Sequence, residues 1–246
     1  MNEAGFGPSA WEPLARAWMA YHQGSREVAL AVHTDAGDSE TMPVAVFFRG
    51  EEELRGPDRE ALGLARGRVL DVGAGVGAIT LILQGRGLEV TALEVIPQGI
   101  RIMRDRGVMD AREGRLEHLP AGETFDTILL LMNGTALAGT LEGLPGLLQA
   151  LGEHLAPGGQ VLMDSTHLPG EAELQYQLEF RGRKGAPFPQ LFLSPDTLET
   201  FAGAEGGALN LVWSGEGGEY LARLTRERAS ASEPHGNAAP AGPTMD

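Results

Sequence analysis

An acid two residues ahead of alternating glycines, and a second acid closing the next apolar run, are the residues best placed for chemistry: Asp71, then Gly73, Gly75 and Gly77, then Glu94. Residues 69–72, Val-Leu-Asp-Val, form a short apolar run bounded by turn glycines, which suits a strand buried on both faces. The glycines lead into residues 78–83, Ala-Ile-Thr-Leu-Ile-Leu, predicted as a helix packed on the sheet. Glycine lets the backbone turn through positive φ and lets a ligand come close, while the helix start offers free N–H groups. A second apolar strand at 90–93 ends in Glu94, where an acid can accept both hydroxyls of a ribose lying across the strand ends. The stretch therefore points to a nucleotide-type ligand. The dinucleotide fingerprint G-x-G-x-x-G would need glycine at the position of Ala78; the pattern here is G-x-G-x-G.

That pattern, with Asp71 ahead of it and Glu94 after it, resembles motif I of the class I S-adenosyl-L-methionine (SAM) methyltransferases. The resemblance implies that Gly73, Ala74, Gly75 and Gly77 wrap the methionine part of SAM. It implies that Asp71 helps hold the amino group and that Glu94, followed by Val95, binds the ribose. It extends over about residues 54–225, with further support from the Phe125-Asp126 opening of a long apolar strand and from the run HLAPGGQVLMDS at 154–165. One departure stands out. After the weak strand at 108–112, Arg115 occupies the place of the family's adenine-binding acid, so adenine recognition is left unassigned among backbone groups, Glu113 and Glu117. The implied fold is α/β: a doubly wound, mostly parallel, seven-stranded Rossmann-like sheet with a C-terminal antiparallel hairpin. The implied reaction is in-line methyl transfer to a small-molecule acceptor, or to a protein. Alignment and desolvation can carry most of such a rate, so no general base is required when the nucleophile arrives deprotonated. Two alternatives remain at this point, an NAD-binding oxidoreductase or epimerase and a non-catalytic SAM-binding regulator.

Acceptor-side candidates lie at the ends of two later strands. Asn133 follows the strand at 125–131 and either contacts the substrate or the SAM amino group, or simply makes an Asn-Gly turn. His167 follows the strand at 160–164 and is the histidine best placed for a general base, although a loop histidine is more often incidental.

The net charge of −15 repels phosphate backbones, and the N-P-P-Y motif of amino-directed DNA methyltransferases is absent, so nucleic acid is disfavoured as a substrate. With no cysteine there is neither a disulfide nor a thiolate metal site, and no metal is expected. No apolar run reaches about 18 residues and no basic-then-apolar start is present, which makes a cytoplasmic protein with no membrane span the expectation. Oligomeric state is left open.

The elements that must position these residues follow from period and punctuation. Residues 1–50 read as an N-terminal helix and cap segment, with Ser9 and Glu12 at capping-box spacing and Leu14, Ala17, Trp18 and Tyr21 on one face. That helix is either a lid over the cofactor or a cover for the sheet edge. Residues 28–32 suit a strand or a helix, 34–41 a loop, and 42–48 an extended apolar segment. Residues 51–225 form the SAM-binding domain. Within it, helices are predicted from Pro57 to about Arg66 and from Pro97 to Gly107, and Leu141, Leu144, Leu148, Leu151 and Leu155 form a helical stripe. Pro157-Gly158-Gly159 is expected to stop that helix and turn into the strand at 160–164. Residues 170–193 read as an inserted hairpin carrying Arg181, Arg183 and Lys184, followed by a Ser194-capped helix and a closing strand pair at 208–213 and 219–225. Residues 226–246 read as a disordered tail.

Overall fold

The computed structural model describes residues 7–168 and 172–226. The chain opens with α1 (Pro8–His22), β1 (Ala29–Thr34), β2 (Ser39–Pro43), a 3-10 turn (Val44–Phe48) and α2 (Gly56–Leu64). It continues with β3 (Arg68–Val72), α3 (Ala78–Gly85), β4 (Glu89–Glu94), α4 (Pro97–Arg106), β5 (Asp110–Glu113) and β6 (Phe125–Leu130). The last elements are α5 (Leu144–Glu153), β7 (Leu155–Thr166), β8 (Ala172–Phe180), β9 (Arg183–Lys184), β10 (Phe188–Phe192), α6 (Pro195–Ala204), β11 (Gly207–Ser214) and β12 (Glu219–Arg226).

The main sheet has seven strands in the order β11-β12-β7-β6-β3-β4-β5, parallel except where β12 enters between β7 and β11. This is the doubly wound sheet with a C-terminal antiparallel hairpin that the sequence predicts. Alternate residues of the central strands feed opposite faces. Val69, Leu129 and Leu162 pack with Leu62 of α2 and Leu83 of α3, while Leu70, Ile128 and Val161 pack with Leu148 and Leu151 of α5. Burial on both faces is why these strands read as continuous apolar runs. The chain runs from β3 outward to β5 and then returns to β6 on the other side of β3. A crevice therefore opens at the carboxyl ends of β3 and β6, where the order reverses.

A second, antiparallel sheet has the order β10-β8-β1-β2, with β9 paired to β8. The N-terminal segment and the inserted hairpin, far apart in sequence, thus form one structure through pairs such as Val32 with Leu178 and Thr34 with Tyr176. One face of it packs on α1: Leu30, Val32, Leu178 and Phe188 cluster with Ala10, Leu14 and Trp18, which in turn meet Val76 and Ile96 of the main domain. The N-terminal helix is therefore wedged between the two sheets.

Several local expectations are corrected. The Ser9–Glu12 capping box does not form, because the helix starts at Pro8 with Gly7 as its cap, and Glu12 instead pairs with Arg16 one turn on. The loop expected at 34–41 is shorter, because Thr34 still belongs to β1 and residues 39–41 to β2, held by pairing of Val32 with Glu40, and the segment expected to be extended coils into a 3-10 turn after Pro43. Helix α2 ends at Leu64, two residues early. The leucine stripe is shorter: Leu141 precedes α5, Leu155 already belongs to β7, and Leu147 takes a buried place in the helix. Pro157, Gly158 and Gly159 consequently lie inside β7 rather than before it. The α6 cap is as expected, with the Ser194 hydroxyl accepting the Thr197 amide. The expected tail lies outside the described residues apart from Arg226. Among the described residues no helix is long and apolar enough to cross a membrane.

Candidate functional site

The crevice deepens into a cavity of about 900 Å³ that reaches from the turn after β3, past the ends of β4 and β5, to the loop after β6, with the second sheet above it. At its floor, Asp71 is buried and its Oδ2 accepts the Thr80 hydroxyl at 2.6 Å. Burial outweighs that bond and pushes the Asp71 carboxyl up to about 6. The turn that follows places Gly73, Gly75 and Gly77 all at positive φ, and the amides of Gly73 and Ala74 donate to the Leu93 carbonyl at 2.8 and 3.1 Å. The glycines are not equivalent. A Cβ on Gly77 would stand 2.9 Å from both Met103 and Val108, so that glycine exists for packing. A Cβ on Gly73 would meet nothing nearer than Leu137 at 3.9 Å, so that position leaves space for a ligand.

Glu94 closes the loop from the other side. Its Oε2 accepts the Gly75 amide at 2.8 Å, and its Oε1 accepts the amides of Val95 and Ile96 at 2.7 and 2.9 Å. Burial raises its carboxyl to about 7; the three N–H groups pull it back only partly, and the Asp71 charge adds to the rise. Val95 is exposed along the same wall. Beyond it, Arg115 and Glu117 line the cavity whereas Glu113 does not.

At the end of β6, Met132 and Asn133 both adopt left-handed φ of 65° and 64°. Asp164, buried in β7, accepts the Gly134 amide at 2.8 Å, and the Asn133 and Met132 amides also stabilise its charge. Successive N–H groups folded around one carboxylate make a nest, and the carboxylate fixes a backbone that non-glycine residues rarely adopt. Desolvation nevertheless dominates and lifts the Asp164 carboxyl to about 6. Asn133 lines the cavity, but its side chain is engaged: Nδ2 donates to the Leu191 carbonyl at 3.2 Å, and Oδ1 accepts the Ser165 and Thr135 hydroxyls at 3.1 and 3.2 Å. These bonds tie the β6 loop to the end of β10. His167 is not brought to the site. It is exposed, absent from the cavity wall, and its amide extends the β7–β12 ladder by donating to the Gly218 carbonyl at 2.9 Å.

Two residues that sequence reasoning missed complete the floor. Arg49 Nη2 lies 2.8 Å from Asp58 Oδ2, both line the cavity, and Asp58 is buried. Burial raises the Asp58 carboxyl and the neighbouring guanidinium opposes the rise. An acid in the first turn of a helix is common for reasons of helix polarity, so nothing in the sequence marked it out.

The acceptor set suits a ligand with cationic and hydroxyl groups: three buried carboxylates, Asp58, Asp71 and Glu94, face one cavity beside an unobstructed glycine turn. Residues 50–200, more than half of the chain, match the family model described as a methyltransferase domain. The structure is similar to that of a SAM-dependent methyltransferase from Bacteroides fragilis in complex with S-adenosyl-L-homocysteine (SAH), with 32% identity, a TM-score of 0.83, and coverage of 91% of this chain and 98% of that one. The chain belongs to the SAM-dependent methyltransferases. SAM is the cofactor of this methyltransferase, which sets aside the NAD alternative and accords with Ala78 standing where a dinucleotide fold needs glycine. CcbJ methyltransferase from Streptomyces caelestis shares the fold at 14% identity and a TM-score of 0.58, covering 72% of this chain and 98% of that one. Among curated relatives, an uncharacterized methyltransferase of Staphylococcus carnosus is 34% identical over 84 residues, covering 34% of this chain and 39% of the relative. A ubiquinone biosynthesis O-methyltransferase of Xanthomonas oryzae is 30% identical over 116 residues, covering 43% of this chain and 46% of the relative. The chain thus spans less than half the length of the curated relatives it matches.

Proposed function

We propose that this methyltransferase works in the cytoplasm and transfers the methyl group of SAM to a small, largely apolar acceptor held under the second sheet. The observation that carries the reading is the roof. Glu40, Met42, Val32, Tyr176, Leu178 and Phe188, from four strands, turn one face toward the cavity, opposite the β6 loop that carries Met132 and Asn133. A volume of about 900 Å³ is at the upper end of single-ligand pockets, which leaves room for a cofactor and a small acceptor together. Nucleic acid fits poorly with a largely apolar roof that carries Glu40 and with a net charge of −15.

When bound, SAM supplies a methyl carbon already activated by positive sulfur. In the proposed arrangement Gly73, Ala74 and Gly75 wrap the methionine part while Gly77, which does not line the cavity, packs the turn against Met103 and Val108; Asp71 holds the amino group, Glu94 takes the ribose hydroxyls and Val95 covers the adenosyl group. The nest around Asp164 fixes Met132 and Asn133 at the acceptor side, where Asn133 acts as a strut between the β6 loop and β10. No histidine or lysine lines the cavity among the described residues, so His167 is not proposed as a base and the work of the site is alignment and exclusion of water. The likeness to an O-methyltransferase supports testing hydroxyl acceptors first, with amines in parallel.

Calorimetric titration with SAM, SAH and NAD, followed by an acceptor screen that measures SAH release, tests this reading. Binding of both adenosyl ligands but not NAD, with turnover on small aromatic hydroxyl or amine compounds, is expected. Turnover on DNA or RNA would overturn the small-acceptor reading. Tight SAM binding without turnover on any acceptor would replace it with a non-catalytic SAM-binding regulator.

A further inference from the structure

Trp18, in the N-terminal helix α1, is 2% exposed, lines the cavity, and carries a buried indole N–H with no hydrogen-bond partner in the protein. A buried donor left unpaired carries a desolvation cost, and each such group in a folded protein calls for a reason. Its surroundings are specific. The ring meets Phe47 edge-on at 5.4 Å between centroids. A Cβ on Gly75 would lie 3.6 Å from Cζ2, the carbon next but one to the indole nitrogen, and 3.7 Å from Cη2. A Cβ on Gly99 would lie 3.2 Å from Cζ3 and 3.1 Å from Glu94 Cγ. The indole and the Glu94 side chain therefore both approach Gly99, with the six-membered-ring edge of the indole toward the glycine turn.

We propose that Trp18 is a cofactor-positioning residue whose indole N–H donates to a ribose hydroxyl oxygen of SAM. This rests on the reading of Glu94 as the ribose-binding acid. A hydroxyl that gives its proton to a carboxylate keeps lone pairs free to accept, and a donor-only indole beside the acceptor-only carboxylate complements it. The same helix lines the cavity with Trp11 and Leu14, so the ribose contact also sets the position of one wall of the acceptor chamber.

The test is calorimetric titration of the wild-type protein and of Trp18→Phe with SAH and with its 2′-deoxy and 3′-deoxy ribose analogues. Phenylalanine keeps an apolar ring against Phe47 and removes the donor. The variant is expected to bind SAH about tenfold more weakly, with the difference from wild type shrinking to less than about twofold for one of the deoxy analogues. Equal SAH affinity in both proteins, or the same loss for all three ligands, would overturn the proposal, the second result marking a packing role only. If Trp18→Phe does not fold, the indole ¹⁵N–¹H resonance of Trp18 in the wild-type protein, identified by elimination with Trp11→Phe and Trp213→Phe, decides the matter. It must shift downfield when SAH is added, and an unmoved resonance overturns the proposal. Failure of the wild-type protein to bind SAH would instead overturn the underlying reading of the site, and the Trp18 proposal with it.

Discussion

The Glu94 carboxylate accepts the Gly75 amide at 2.8 Å, so the acid that ends β4 and the turn that follows β3 form one unit before any ligand arrives. Replacing Glu94 with alanine removes the proposed ribose acceptor and releases the Gly75, Val95 and Ile96 amides together. With hydrogen bonds to a charged group worth about 1.5–3 kcal/mol each, SAH affinity is expected to fall at least tenfold to a hundredfold in Glu94→Ala. Glu94→Gln, which keeps one oxygen, should lose less. Parallel calorimetry on the two variants checks both the loss and its order.

Cofactor affinity should rise with pH. Burial lifts Glu94 to about 7 and Asp71 to about 6, so in mildly acid solution both are largely protonated, and a ligand presenting an ammonium and two hydroxyl donors favours their ionised forms. Binding must then release protons. SAH affinity is expected to climb between about pH 5.5 and pH 8, and the climb should flatten in Glu94→Gln. An affinity independent of pH would contradict this assignment.

The same shifts reverse the sign for stability of the ligand-free protein. Glu94, Asp71 and Asp164 have folded-state values above those of an unfolded chain, near 4, so the folded protein binds more protons between the two. Their stabilising contribution is complete below about pH 4 and is lost as the pH rises through 6 to 7. Among these groups the effect is a melting temperature that falls toward neutral pH, with saturating SAH making the slope shallower. Thermal scans across that window with and without SAH measure it.

The glycines of the turn should separate by role. Gly77→Ala places a methyl 2.9 Å from Val108 at a φ of 80°, and a loss of about 2–3 kcal/mol in stability is expected from strain and overpacking. Gly73→Ala has free space, so it should cost only about 1 kcal/mol in stability for its left-handed φ while its methyl protrudes into the cavity and weakens SAH binding. Denaturant unfolding and calorimetry on the pair would reveal opposite profiles.

Asp164→Ala leaves the amides around it without their acceptor and frees Met132 and Asn133 from left-handed φ. A loss of about 3 kcal/mol in stability is expected, with a smaller loss for Asp164→Asn. Because the nest faces the proposed acceptor side, SAH affinity of the folded fraction should change little.

The part of the cavity proposed to hold the cofactor was legible in the sequence because it is local. Asp71, the glycine turn and Glu94 belong to consecutive strand-turn-helix units, and a glycine that must adopt positive φ leaves its mark at a fixed spacing whatever the distant chain does. The strands of the main sheet were legible for a related reason: burial on both faces forces continuous apolar runs, as at 125–130. The part proposed to hold the acceptor was decided only in three dimensions. Its roof joins Glu40 to Val32, and Val32 to Leu178 across 146 positions of chain, through backbone pairing that imposes no local composition. The burial that makes Asp58 part of the floor, and the indole of Trp18 that stands over Gly99, come from packing of the N-terminal segment on the main domain. The placement of His167 was decided the same way: sequence put it at the end of a strand, but β12 paired alongside and carried the histidine past the cavity to the surface.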